Sequence, residues 1–383
     1  MKKLKKALAC VLTFAMALSV AACGGSTSST PSSSAPESSG GSTGGSGDSY
    51  HFEIVSKGFQ STYWQAVYKG ATDELKKLND EAGYEKYTMN FVGPDSESDI
   101  AVQVQEFGSA LNAKPDAIGL AALDVGALLD SIKTTQSNGI PIIGFDSGVP
   151  DAPEGAVLAN ASTDNYAAGK LAAQGMYEKI KGRLDKSKKV RIGEVNQDAT
   201  SESITNRGLG FIDEMISLLN KDGYKVCVTG NEKYVGDAKG DTVSESDANV
   251  VIEVRVPSQT TTELCATEAG VILNEADTIA IFGSNQVAAE GIITANEMLQ
   301  VCGSDDSKII AVGFDSGKVL KAAVTDGTMY GAVTQAPVSI GAVLIDLLAK
   351  AAAGESVKDT DTGCQFYTAS NITDAEIAQN LYD

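Results

Sequence analysis

Two stretches of this 383-residue chain echo one another: Ile142-Ile143-Gly144-Phe145-Asp146-Ser147-Gly148 and Ala311-Val312-Gly313-Phe314-Asp315-Ser316-Gly317. Each closes an apolar run of strand character, so each sets an aspartate at a strand's carboxyl end, the edge where open α/β sheets bind ligands. Asp-Ser-Gly is also a common turn, and Asp can cap a following helix. Two copies at matching places favour a shared cleft that receives both Asp146 and Asp315. Other polar residues fall at comparable positions. Arg207 lies at a helix start in Asn206-Arg207-Gly208-Leu209-Gly210-Phe211, Asn285 follows the run Thr278–Phe282, and Gln335 follows Gly331–Thr334. The loop after the first strand, Ser56-Lys57-Gly58-Phe59-Gln60-Ser61-Thr62-Tyr63-Trp64, offers a cation, the Gln60 amide and the rings of Tyr63 and Trp64. Carboxylates and amides hold several hydroxyls at once, an Arg fork donates in one plane, and rings stack on C–H faces; together these suit a sugar. Trp64 reads equally as core, because Trp64, Val67 and Tyr68 share a helical face. Asn285 reads equally as a helix cap.

The same inventory excludes several chemistries. His51 is the only histidine and stands outside any expected cleft, which removes Ser-His-Asp, Cys-His and His-ligated zinc schemes. Cys227, Cys265, Cys302 and Cys364 match no zinc spacing, and as small hydrophobes or disulfides they carry no catalysis. No strand leads into Gly-x-Gly-x-x-Gly and no Walker loop is present, so nucleotide enzymes are disfavoured. The chain is expected to be no enzyme, with no cofactor and no metal. A net charge of −20 repels phosphate backbones, so nucleic acid is not expected as a partner.

From His51 onward a β-rich apolar run alternates with an amphipathic helical stretch. Strands are expected at Phe52–Ser56, Tyr87–Val92, Ala117–Leu120, Pro141–Phe145, Val190–Val195, Lys225–Thr229, Val250–Val256, Thr278–Phe282, Ile309–Gly313 and Gly331–Thr334, with helices such as Thr62–Leu78, Asp164–Lys181 and Thr205–Leu219 between them. Continuous apolar strands alternating with helices mean parallel sheets covered on both faces. Ten strands exceed one ordinary sheet, which gives an α/β chain of two doubly wound lobes.

Ahead of this lies a different composition. Lys2, Lys3, Lys5 and Lys6 precede an apolar run to Val20, too short for a spanning helix, and Val20-Ala21-Ala22-Cys23 resembles the bacterial lipobox. Residues 1–22 therefore read as a lipoprotein signal peptide, and Cys23 as the diacylated residue that anchors the chain to the outer face of the cell membrane. Residues 24–49, rich in Ser, Gly, Thr and Pro, read as a flexible tether with a reach of about 28 Å.

From about Tyr50 onward the chain resembles the ribose-type periplasmic binding proteins. The segments that carry the likeness are Ser56–Gln60, Gly93-Pro94-Asp95-Ser96-Glu97, Gly139–Asp146, Thr163-Asp164-Asn165-Tyr166-Ala167-Ala168-Gly169, Val312–Asp315 and Thr334-Gln335-Ala336-Pro337. The resemblance implies a periplasmic binding protein type I fold, two lobes joined by a three-segment hinge, with residues 50–162 plus 336–366 in the first lobe and 163–335 plus 367–383 in the second. It implies a pentose or hexose gripped by Asp146, Arg207, Asn285, Asp315 and Gln335, with Tyr63 or Trp64 stacking. Ser147 stands where ribose binders carry an arginine and Ala121 where they carry an asparagine, so ribose itself is not selected. The implied partners are the sugar, the membrane subunits of an ABC permease and the membrane through the lipid anchor, with the protein itself a monomer. Alternatives of the same binding chemistry are a nucleoside, a polyol or a signalling furanone, or presentation of the ligand to a receptor kinase. A sugar-responsive repressor would need a helix-turn-helix where the signal and tether stand. Tyr234–Asn249 reads as a polar insertion without an assigned role.

Overall fold

The computed structural model describes residues 48–383; the signal peptide, Cys23 and nearly all of the tether lie outside the described residues. In chain order the elements are β1 (Tyr50–Val55), α1 (Thr62–Ala82), β2 (Tyr87–Val92), α2 (Ile100–Asn112), β3 (Ala117–Leu120), α3 (Val125–Ser137), β4 (Ile142–Phe145) and β5 (Val157–Ser162). They continue with α4 (Asn165–Ile180), β6 (Val190–Val195), α5 (Glu202–Lys221), β7 (Val226–Gly230), α6 (Glu232–Asp237), β8 (Val250–Arg255), α7 (Thr262–Leu273), β9 (Thr278–Gly283) and α8 (Gln286–Leu299). The remainder is β10 (Ile310–Phe314), α9 (Lys318–Asp326), β11 (Gly331–Gln335), α10 (Pro337–Ala352), β12 (Thr360–Asp361), β13 (Cys364–Thr368) and α11 (Ala375–Ala378).

Two sheets form. The first has the order β12-β5-β4-β3-β1-β2 and the second β13-β11-β10-β9-β6-β8-β7. Every pairing is parallel except β11 with β13. The central strands β3, β4 and β10 are buried along their whole length, as expected where helices cover both faces. The doubly wound α/β architecture read from the sequence is the one observed. In the first sheet chain order reverses beside β1, which lies between β2 and β3; in the second it reverses beside β6, which lies between β8 and β9. These reversals open a crevice at the strands' carboxyl ends.

Three strands were not anticipated. Val157–Ser162 alternates inward and outward and carries Asn160, so it lacks the apolar run of a central strand. Strands β12 and β13 are edge strands, one only two residues long. Their pairing moves the third crossing between sheets. Cys364–Thr368 pairs with β11, so residues 364–366, expected in the first lobe, belong to the second sheet, and the chain crosses between Asp361 and Cys364. The stretch Tyr234–Asn249 is only partly an insertion: Tyr234 sits in α6, fully buried, and its hydroxyl donates to the Asp198 carbonyl at 2.8 Å. The residues from 239 to 247 are exposed.

Candidate cleft at the paired strand ends

The two echoing aspartates adopt the same unusual backbone. Asp146 has φ 56° and Asp315 φ 74°, the left-handed region that Asp tolerates better than most residues. In each case the chain turns sharply off its strand, and the amide still pairs with the neighbouring strand: Asp146 N with Ala161 O at 3.0 Å, Asp315 N with Val333 O at 2.6 Å. Both are buried and line one small cavity, about 40 Å³, together with Lys57, Tyr63, Arg207 and Gln335. That is well below the volume of a small-molecule site, so side chains or lobes must give way to admit a ligand. Larger, more open grooves exist, one of them along Pro150, Glu154 and Asp359, but the buried charged groups Lys57, Asp146, Arg207 and Asp315 line the smaller cavity.

On the first lobe's side Tyr63 Oη donates to Asp146 Oδ1 at 2.5 Å. Burial, followed by the charges of Asp146 and Asp315, pushes the Tyr63 hydroxyl well above its ordinary pKa, so it remains a donor. Lys57 stands two residues past β1 and is 3% exposed. Its Nζ lies 3.7 Å from Glu97 Oε2 and 3.9 Å from Asp146 Oδ2, and donates to Ser203 Oγ at 3.2 Å. Burial alone would lower its pKa; the carboxylates of Glu97, Asp146 and Asp198 outweigh that and raise it, so the group is an ammonium.

On the second lobe's side Asp315 Oδ1 accepts from Gln335 Nε2 at 2.7 Å and Oδ2 from Gln286 N at 3.1 Å. Burial raises its pKa, partly offset by the positive charge of Arg207 and by those two donors. Arg207 is 2% exposed and lies flat on Phe314, its guanidinium carbon 3.6 Å from the ring centroid. Nη1 donates to Ser284 O and Nη2 to Asn165 Oδ1, both at 2.7 Å. Arg207 Nε and Gln335 Oε1 are buried without a protein partner, one a donor and one an acceptor, on residues that line the cavity. A native structure rarely leaves such atoms unmet.

The remaining expectations divide. Asn285 lines the cavity and also caps α8, its Oδ1 accepting from Ala288 N at 3.0 Å while Nδ2 donates to Gln197. Trp64 is likewise both: 1% exposed, packed edge-on against Phe145 and Tyr63 in the core, with Nε1 donating to Glu97 Oε1 at 2.9 Å on the cavity wall. Gln60 is not brought in; it is exposed and donates to Asp95 on the surface. Ser147 is fully buried but does not line the cavity. Its Oγ accepts from Ser203 N across the crevice at 3.2 Å, so it joins lobes where it was expected to touch ligand. Sequence reasoning did not single out Lys57, Glu97, Ser203 or Gln286. Lys57 had a signal, a charged residue two positions past an apolar strand; the others depend on which loops face each other.

Further bonds span the crevice: Gln197 Nε2 to Glu97 Oε2 at 2.8 Å, Thr260 N to Ser98 Oγ at 2.7 Å and Thr200 Oγ1 to Leu123 O at 3.1 Å. The two sheets are thus described in a closed arrangement.

Residues 52–356 match the family model described as "Periplasmic binding protein domain". The chain belongs to that family. The resemblance to ribose-type sugar-binding proteins therefore holds, and the family is one of substrate-binding proteins, not enzymes. Among solved structures it is similar to one titled "ABC transporter, LacI family transcriptional regulator" from Brachyspira murdochii, at 32% identity with TM-score 0.70, covering 88% of this chain and 99% of that one. It is similar to an ABC transporter solute binding protein from Agrobacterium vitis with bound D-fucose, at 28% identity and TM-score 0.69, covering 87% of this chain and 100% of that one. It is also 29% identical over 178 residues to the fructose import binding protein of Bifidobacterium longum, covering 45% of this chain and 48% of that protein. That match spans about half of the Bifidobacterium protein's length.

Proposed function

We propose that the protein is an extracytoplasmic solute-binding lipoprotein that captures a monosaccharide, a pentose or hexose, by hinge closure and delivers it to an ABC-type importer. The observation that carries this reading is the convergence of Asp146 and Asp315, on equivalent left-handed strand ends of two lobes, with the unmet Arg207 Nε and Gln335 Oε1 in one closed cavity. Two opposed carboxylates each accept from ring hydroxyls, with charged hydrogen bonds of about 1.5 to 3 kcal/mol apiece. Asn285 and Gln335 add amides, Tyr63 orients Asp146, and Tyr63 and Trp64 present ring edges and faces to the sugar's C–H groups. Because the contacts come from both lobes, they exist together only when the crevice is shut. Binding energy then shifts the population toward the closed form, the shape a permease can read. Relatives whose descriptions name D-fucose and fructose support a monosaccharide over larger solutes.

The anchor at Cys23 and the position on the outer membrane face rest on the sequence of the first 23 residues. A thermal-shift screen with D-fucose, D-fructose, D-ribose and other monosaccharides, alongside nucleosides and polyols, tests the reading. A ligand that binds only the folded state raises the melting temperature, by an amount that grows with ligand concentration over Kd. A rise with one or a few monosaccharides is expected. A rise with nucleosides or polyols alone would overturn the monosaccharide assignment.

A further inference from the structure

The chain makes a fourth approach between lobes beyond its three crossings. Residues 380–382 run along the second lobe's strand ends, where Thr334 Oγ1 donates to Asn380 O at 3.2 Å. Tyr382 is then fastened to the loop after Asp315. Its N donates to Ser316 Oγ at 3.1 Å, and its carbonyl accepts from Ser316 Oγ at 2.9 Å and from Gly317 N at 3.1 Å. Its ring points the other way. It packs on the first lobe's core and stands edge-on to Tyr63, centroids 6.0 Å apart at 65°. The hydroxyl reaches Gln286 Oε1 at 3.3 Å and accepts from Ser316 N at 3.3 Å. Gln286 in turn holds Asp315 Oδ2 through its backbone and approaches Thr62 Oγ1 of the first lobe at 3.5 Å.

Backbone and hydroxyl are held by the second lobe while the ring packs on Tyr63 and the core of the first, so the Tyr382–Tyr63 contact breaks when the lobes rotate apart. We propose that Tyr382 is an interlobe strap and a positioning residue: it stabilises the closed form and sets the Tyr63 ring whose hydroxyl holds Asp146. Burial keeps its hydroxyl protonated, consistent with a donor role toward Gln286. The positioning half rests on the sugar-capture reading above; the strap half does not. An edge-to-face aromatic pair corresponds to about a two- to tenfold bias in a two-state population.

The test measures energy transfer between dyes at Lys76 and Lys221, exposed positions on the two lobes, in the wild type, Tyr382→Ala and Tyr382→Phe. Release of D-fucose, D-fructose and D-ribose is followed in turn by stopped flow. In Tyr382→Ala the sugar-free closed fraction is expected to fall two- to tenfold. The dissociation rate of whichever sugar binds should rise by a similar factor, with the association rate within twofold of wild type. Tyr382→Phe keeps the ring and should lie between. An unchanged closed fraction in Tyr382→Ala overturns the strap, and so does a lowered melting temperature with no change in closure, which would make the residue merely structural. If none of the three sugars binds, the sugar-free measurement still decides the strap, and the failure belongs to the ligand assignment.

Discussion

Arg207 shows how much rests on single side-chain geometry. Nη1 and Nη2 donate to Ser284 O and Asn165 Oδ1 and the guanidinium stacks on Phe314, while Nε, without a protein partner, is a donor that the proposed site would offer a ligand. Lysine keeps the charge but loses the fork and the stacking. Arg207→Lys is therefore expected to weaken sugar binding about 10- to 100-fold by calorimetry, with the closed core retained. A second prediction concerns Glu194, fully buried on β6, with Oε1 accepting from Asn196 Nδ2 at 2.6 Å and Oε2 without a partner. Burial drives its pKa well above the ordinary carboxylate value, with Asp213 adding to the rise and Asn196 opposing it. The folded state thus holds a proton that the unfolded state releases near pH 4.5. The contribution to stability is fully present below that pH and is lost as pH rises through the elevated folded value. Denaturant titrations should show wild-type stability declining over that window, and Glu194→Gln, which mimics the protonated form, should lose the decline. A decline of equal size in the variant would place the titrating group elsewhere.

At the scale of elements, each lobe uses a glycine to bring two helices together. A Cβ on Gly169 in α4 would sit 2.0 Å from the Arg207 carbonyl oxygen of α5, and one on Gly341 in α10 would sit 2.0 Å from the Val67 carbonyl oxygen of α1. Either helix pair must separate to admit a methyl group, at a cost of about 1–3 kcal/mol. The consequences for binding differ. Gly169→Ala presses on Arg207 itself and should weaken sugar binding beyond its effect on stability. Gly341→Ala should lower the melting temperature comparably while leaving affinity within a few-fold. Equal affinity loss in both would mean that Arg207 is not positioned by this helix contact.

Elements were also where the sequence was most and least legible. Central strands could be read because burial on both faces demands unbroken apolar runs, and the polar residue ending each run marked the crevice at Asp146, Asn285, Asp315 and Gln335. Strands β12 and β13 could not, since edge strands mix polar and apolar residues, nor could β5, which only two-residue β12 flanks and which carries Asn160 in place of an apolar run. Gln60 and Ser147 do not line the cavity, for a different reason. Both stand within a few residues of a strand end, but which way a loop residue points depends on the lobe opposite it. Trp64 was legible only as an alternative between core and cleft, and it serves both because the cleft wall is the outer layer of the core.

For the molecule as a whole, capture requires that the chain be held outside the cell and that its lobes close together. Cys23→Ser is expected to abolish palmitate labelling of the protein in cells and to release it into the medium; undiminished labelling would remove the anchor from the account. The bonds that span the crevice, such as Gln197 to Glu97 and Ser203 to Ser147, describe the shut form, in which the proposed site divides its ligand contacts between Asp146 on one lobe and Asp315 on the other. The most direct test of that division is calorimetric titration of the sugar found in the thermal-shift screen into the wild type and into Asp315→Ala. The account predicts no detectable binding to Asp315→Ala, with circular dichroism and unfolding showing a folded protein. Unchanged affinity in the folded variant would contradict the assignment of the cleft.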